Sequence, residues 1–213
     1  MDPGKISMEV ARLGRQLAGM TDSAMILEGL CTTQNKLGGV NLAPMGPVVN
    51  ESLTQFLFRP FQTSQTFQNL RDTRSGVFHI TDDAALISRA ALGLLEKTPK
   101  LVPAETVDGQ VLADCCRWYE FEVVEIDDRQ ARTEITTRIT YVGHGREFLG
   151  FNRAKHALLE AAILGTRVHL LDPDEIRDQL ARLTVIVSKT ASTGDQEAFD
   201  ELEARILSDL STG

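Results

Sequence analysis

Cysteine is scarce in this chain. Among 213 residues there are three, Cys31, Cys115 and Cys116. An odd, low number excludes a disulfide framework. Cys115 and Cys116 are adjacent, which suits neither zinc ligation nor a Cys-x-x-Cys redox pair. On a strand, neighbours face opposite sides, so one of the two is expected in the core and the other at the surface. No Gly-x-Gly-x-x-Gly sequence occurs, which removes a Rossmann-type dinucleotide site. No apolar run approaches the roughly 20 residues of a membrane span. The start shows no charged segment followed by an apolar one, so the expected location is the cytosol. Basic residues number 22 against 30 acidic ones, a formal charge of -8. No Lys/Arg cluster with interleaved aromatics offsets that excess, so nucleic acid and anionic membrane surfaces are not expected partners. His79, His144 and His169 have no metal-ligand spacing, and no metal is expected.

What is present is an ordinary globular composition, 42% hydrophobic and 24% charged. That is enough for one core and an appendage. Residues 1–22 carry Val10, Leu13 and Leu17 at helical spacing and read as a short N-terminal helix or tail. Residues 23–150 read as strands with little helix. Met25 to Gln34 is one strand, Asn35 to Gly39 a hairpin turn, and Val40 to Val49 the returning strand. Pro44 and Pro47 cannot donate to a ladder, so that strand must bulge or lie at an edge. Leu53 to Phe58 is a third strand, and a helix is expected over about Ser64 to Asp72 behind a Thr63 or Ser64 cap. Val77 to Ile80 is a buried strand, and Asp82 or Asp83 caps a helix from Ala84 to Leu95. Lys97 to Gly109 reads as a loop, Gln110 to Ile126 as one long strand and Ala131 to Val142 as its hairpin partner, with clear period-2 alternation. Such a series suggests a small closed barrel. Residues 151–213 change to helical spacing, with starts at Asn152, Asp172-Pro173 and Asp195. They form a helical region packing on the barrel or on a partner subunit.

Chemistry concentrates between Asn41 and Asp83. Arg59, Thr63, Ser64, Thr66 and Asn69 bring a cation, hydroxyls and a helix start into one strand-to-helix turn, which are the donors a phosphate needs. The irregular run Asn41-Leu42-Ala43-Pro44-Met45-Gly46 offers backbone groups and an apolar face to a flat ring. The same residues serve an ordinary helix cap and a surface charge equally well, and both readings stay open on the residues alone. Arg153, His156 and Glu160 share a helix face, with Asn152 one turn before His156. They form either a solvated stripe or a lid that binds an anionic substrate. His79, Asp82 and Asp83 read as a buried histidine and helix caps.

The segment ILEGLCTTQ, then VNLAPMGPVV, FLFRPFQTSQTFQNLRDTRSGVFHITDD and, further on, GFNRAKHALLEAA resembles the DUF447 family of the FMN-binding split-barrel superfamily, which includes flavin reductases. The carrying residues are Thr32-Thr33, Asn41 to Gly46, Arg59-Pro60-Phe61, Thr66 to Leu70, Val77 to Asp83 and Gly150 to Ala162. The resemblance implies a mainly β fold with α, an FMN-binding split β-barrel followed by a C-terminal helical appendage. It also implies a homodimer with FMN near the subunit interface. The phosphate would rest on Arg59, Thr63, Ser64, Thr66 and Asn69. The ring would lie along Asn41, Ala43, Pro44, Met45 and Gly46, with Thr33 nearby. Thr63-Ser64 departs from the small Gly-Ser pair expected before the helix. The implied activity is a flavin-dependent oxidoreductase of flavin-reductase type, with a small-molecule substrate or a nicotinamide donor. The alternatives are a non-catalytic FMN-binding or carrier protein, and a split barrel holding another flat cofactor such as heme or a deazaflavin. No side chain is required as a catalytic base for flavin chemistry, and none is named.

Overall fold

A computed structural model describes residues 25–212; the expected helix over residues 1–22 lies outside them. By internal contacts the chain forms two compact units. Of the described residues, the first comprises 25–80 together with 101–113 and 117–145, and the second 81–100, 114–116 and 146–212.

The first unit is built on a curled eight-stranded antiparallel sheet. Its strands are β1 (Met25–Ile26), β2 (Gly29–Gln34), β3 (Val40–Met45), β4 (Val48–Val49), β5 (Gln55–Phe58), β6 (Ser75–Ile80), β9 (Arg117–Asp127) and β10 (Glu134–His144). They lie in the order β1-β4-β5-β10-β9-β6-β2-β3. A separate two-stranded ribbon joins β7 (Leu101–Pro103) to β8 (Gln110–Leu112). Alternation along β5 and β9 turns Phe56, Phe58, Tyr119 and Phe121 inward, where they are fully or almost fully buried. The rings pack directly. Phe58 stacks on Phe121 with centroids 4.8 Å apart, and Phe56 meets Phe78 edge-on at 5.6 Å. Each such pair adds about 0.5–1.5 kcal/mol beyond its burial. Gly76 makes room for this cluster: a Cβ there would stand 2.7 Å from the Phe121 ring. Register shifts at Thr136/Thr137 and Ile139/Tyr141 break the even alternation expected of β10 and help curl the sheet.

Several boundaries differ from expectation for local reasons. Met25 to Gln34 is two strands, because β1 pairs β4 while β2 pairs β3 and β6. The run from Gln110 to Ile126 breaks at residues 113–116, so β8 and β9 belong to different sheets. The segment read as a loop contains β7, which ends on Pro103.

The helix α1 (Gln65–Thr73) also belongs to the first unit. The second unit gathers α2 (Ala84–Ala91), α3 (Arg153–Gly165), α4 (Pro173–Thr190) and α5 (Thr193–Thr212). α2 stops earlier than its apolar residues suggest, and Gly93 follows at φ 67°. Caps define the starts: Asp83 for α2, Asn152 for α3, and Asp172 with Pro173 at the first turn for α4. Ala154, Ala157 and Ala161 line one buried face of α3, and small side chains there let the neighbouring helices approach closely. Leu158, Ile176, Leu180, Phe199, Leu202 and Ile206 fill the space around them. Buried Asp82 receives bonds from Arg146, from the Leu149 N–H at 2.7 Å and, at its backbone carbonyl, from Lys155 at 2.6 Å. The Arg146 guanidinium beside it holds the Asp82 carboxyl below the usual carboxylate range. Among the described residues, no helix is long and apolar enough to cross a membrane.

Candidate functional site

The chemistry-bearing residues of the first unit meet where α1 lies on the β2–β3 hairpin. β2 and β3 pair in register, with Thr33 opposite Asn41 and Cys31 opposite Ala43. The turn between them is held by the Asn35 side chain, which accepts from the Leu37 and Gly39 N–H groups, with Gly38 at φ 83°. β3 ends the sheet order, so the expectation of an edge strand at Pro44 holds. All six of its residues, Asn41, Ala43, Pro44 and Met45 among them, are half-buried. Gly46, just beyond, is exposed. Among the described residues, one side of β3 therefore keeps backbone groups free of ladder bonds.

α1 starts as expected. Ser64 caps it, accepting from the Phe67 N–H at 3.2 Å and donating to the Phe61 carbonyl at 2.7 Å. No acidic residue occupies the first turn, so the positive end of the helix dipole meets no carboxylate of its own helix. Thr63 and Gln65 beside the cap are exposed. Thr66 and Asn69 are not: only 3% and 2% of their surfaces remain accessible. Asn41 donates to the Thr66 hydroxyl at 3.1 Å, and Asn69 donates to the Thr33 hydroxyl at 3.0 Å. The Gln65 side chain donates to the Asn69 side-chain amide oxygen Oδ1 at 2.7 Å. These bonds pin the helix start to the hairpin. Thr33, Thr66 and Asn69 thus orient the open end of α1, while Thr63, Ser64 and Gln65 face outward from it. Sequence reasoning missed Gln65, although its i, i+4 spacing to Asn69 was visible.

Arg59 follows β5 and precedes Pro60. Its Nε lies 3.4 Å from a Glu134 carboxylate oxygen, and both side chains are about half-exposed. Glu134 was invisible as a partner in the sequence. It reaches Arg59 because Ile135 pairs with Phe58 across β10 and β5.

The other expected site residues lie in the second unit. Asn152 accepts from the Ala154 and Lys155 N–H groups and donates to the Thr190 carbonyl at 2.9 Å, so its amide is committed to capping at both ends. Arg153, His156 and Glu160 all lie on the exposed face of α3. The His156 ring stands 6.1 Å from that of Phe151. Cys115 is buried in the short segment between β8 and β9, and Cys116 half-buried. Burial first, then the neighbouring Cys116 and Asp114, push the Cys115 thiol up to about 11, so it stays protonated at neutral pH. Among the described residues, no three His, Cys, Asp or Glu side chains converge to hold a metal ion.

Two family models match this chain. One, described as the protein of unknown function (DUF447) N-terminal domain, covers residues 27–146. The other, described as protein of unknown function (DUF447), covers residues 152–204. The chain belongs to the DUF447 family. A comparison with curated proteins found no match. Among solved structures, this DUF447 protein is similar to the FMN-bound protein MM1853 from Methanosarcina mazei, also assigned to DUF447. The TM-score is 0.72 at 20% identity, over 89% of this chain and 99% of that one. This likeness establishes the fold, a split β-barrel with a helical C-terminal region. Looser matches include flavoredoxin from Methanosarcina acetivorans, with TM-score 0.49 and 17% identity over 61% of this chain and 73% of that one. A putative flavin reductase from Haemophilus somnus 129PT gives 0.47 and 13% over 62% and 88%. At those scores nothing further rests on them.

Proposed function

We propose that this DUF447 protein binds FMN, with the phosphate at the start of α1 and the ring along β3, and acts as a flavin-dependent oxidoreductase of flavin-reductase type. The observation that carries the cofactor reading is the α1 N-terminus. It is capped by Ser64, free of acidic residues in its first turn and pinned by Thr66 and Asn69 against the hairpin. Unpaired helix N–H groups, outward hydroxyls and a nearby cation suit a phosphate dianion. The half-buried edge strand β3 supplies backbone groups and an apolar face for a flat ring. The family's FMN-bound structure supports the same reading.

The roles divide within the set. Arg59 and Thr63 contact the phosphate, Ser64 joins them by turning its hydroxyl proton from the Phe61 carbonyl, and Thr66 and Asn69 hold the helix start in place. Asn41, Ala43, Pro44, Met45 and Gly46 border the ring, with Thr33 behind them. Arg59 must turn from Glu134 to the phosphate. An exposed pair of that kind contributes only about 0–1 kcal/mol, so the exchange costs little. Bound FMN would supply the redox-active ring, and the chain's residues bind it, orient it and limit water. A homodimer with the flavin near the interface fits the free edge of β3. Three free cysteines fit a reducing compartment such as the cytosol.

The activity is tested by mixing the FMN-loaded protein anaerobically with NADH or NADPH. Rapid loss of the oxidised-flavin absorbance is the expected result. A flavin that stays oxidised with both donors would leave a carrier or store as the function and remove the reductase reading.

A further inference from the structure

A second concave site lies on the first unit, at the far end of β5 from Arg59. Leu53 and Arg59 flank opposite ends of the four-residue strand β5, itself roughly 13 Å long. The cleft there has a volume of about 390 Å³ and is walled by the turn before β5, the start of β9 and the bulged stretch of β10. That size falls in the range of small-molecule sites.

Its polar groups are all donors in excess. Arg117 points one η nitrogen at the Tyr119 hydroxyl, 3.4 Å away, and has no acidic partner among the described residues. Tyr119 is 98% buried, by its 2% residual exposure, and its hydroxyl borders the cleft. That hydroxyl accepts from Arg117, and among the described residues its own proton meets no acceptor. On the opposite wall, Asn50 donates to both the Ser52 and Thr54 hydroxyls at 3.0 Å, and those two oxygens lie 3.0 Å apart. One of the two hydroxyl protons satisfies the other oxygen. The second is left for a ligand. Among the described residues no carboxylate lines the cleft, in a chain with eight more acidic than basic residues. The remaining walls are Leu53, Ile139, Val142, the edge of Tyr141 and Thr140, whose hydroxyl is already engaged by the Glu120 carbonyl and Thr106. Leu53 is held at φ 52°, a conformation few non-glycine residues adopt.

We propose that this cleft binds a small monocarboxylate with a flat or branched apolar body. The carboxylate would sit between Arg117, the Tyr119 hydroxyl and the Ser52/Thr54 pair, with the body against Leu53, Ile139 and Tyr141. One guanidinium matches one negative charge, and two neutral hydroxyl donors complete the carboxylate's shell without a second cation. None of these residues belongs to the proposed FMN cradle, so the inference stands apart from the cofactor reading.

The chain carries its own reporter. Its single tryptophan, Trp118, lies 6.3 Å from the Tyr141 ring at the edge of the cleft. The test titrates the full-length protein with benzoate and, separately, with benzamide, reading heat by calorimetry and Trp118 fluorescence. Benzoate should bind saturably and change the fluorescence, and benzamide should bind about tenfold or more weakly. Arg117→Met should weaken benzoate binding about tenfold or more, and Tyr119→Phe several-fold, with thermal melts confirming that both variants fold. Equal binding of benzoate and benzamide, no saturable binding of benzoate, or wild-type affinity in both variants would overturn the proposal.

Discussion

His79 is fully buried on β6. Its Nδ1 bonds the Leu30 carbonyl at 3.0 Å and its Nε2 accepts from the Leu112 N–H at 3.1 Å, which fixes the neutral tautomer with the proton on Nδ1. Burial pushes its pKa down to about 4, against the opposing pull of the Leu30 carbonyl. Between that value and the ordinary 6.5 the unfolded chain binds a proton that the folded chain refuses, so stability falls as pH falls through this window. Denaturant melts at pH 7 and pH 5 should differ by on the order of 2 kcal/mol from this group. His79→Gln, which keeps one donor and one acceptor, should flatten that slope, and an unchanged slope would refute the assignment. Glu134 is the complementary case, since its place beside Arg59 comes from strand pairing alone. Glu134→Gln removes a competing carboxylate and should tighten FMN binding by about two- to fivefold, read by flavin fluorescence titration. Weaker binding would mean that Glu134 positions Arg59 for the ligand.

At the scale of elements, caps and breaks were legible and partners were not. Ser64, Asp83, Asn152 and Asp172-Pro173 mark helix starts by local chemistry, and each stands at one. The 110–126 run was read as one strand because its residues favour extension throughout, whereas the break at 113–116 is set by tertiary pairing. β7 was missed because a three-residue strand ending in proline carries almost no signal. The burial of Thr66 and Asn69 and their bonds to Asn41 and Thr33 become visible only in the packed helix. Glu120 on β9 was not singled out at all. It is fully buried and accepts from the Glu105 and Thr106 N–H groups and from Trp118. Burial alone would raise its carboxyl, but these bonds outweigh it and hold it below the usual range. The anchoring role of α1 makes a prediction. Asn69→Ala should cost about 1–3 kcal/mol of stability in chemical denaturation, because it strands the buried Thr33 hydroxyl. It should also weaken FMN binding although Asn69 does not face outward. A variant that lost affinity with unchanged stability would instead mark Asn69 as a direct ligand.

For the whole molecule, the order of a mainly β part followed by helices was readable from the switch in periodicity near residue 150. The grouping of α2 with the C-terminal helices was not, because Ala84 and its neighbours join that core through contacts distant in sequence. The proposed seat of a phosphate-bearing flavin is a single structural device, the open N-terminus of α1 beside Arg59. The most direct test compares FMN with riboflavin, which lacks the phosphate, by calorimetry on the wild-type protein and on Arg59→Ala/Ser64→Ala. Wild type should bind FMN about a hundredfold or more tightly than riboflavin, and the double variant should lose most of that preference while still binding riboflavin as wild type does. Equal affinity of the wild type for the two flavins, or a full preference for FMN in the double variant, would contradict it.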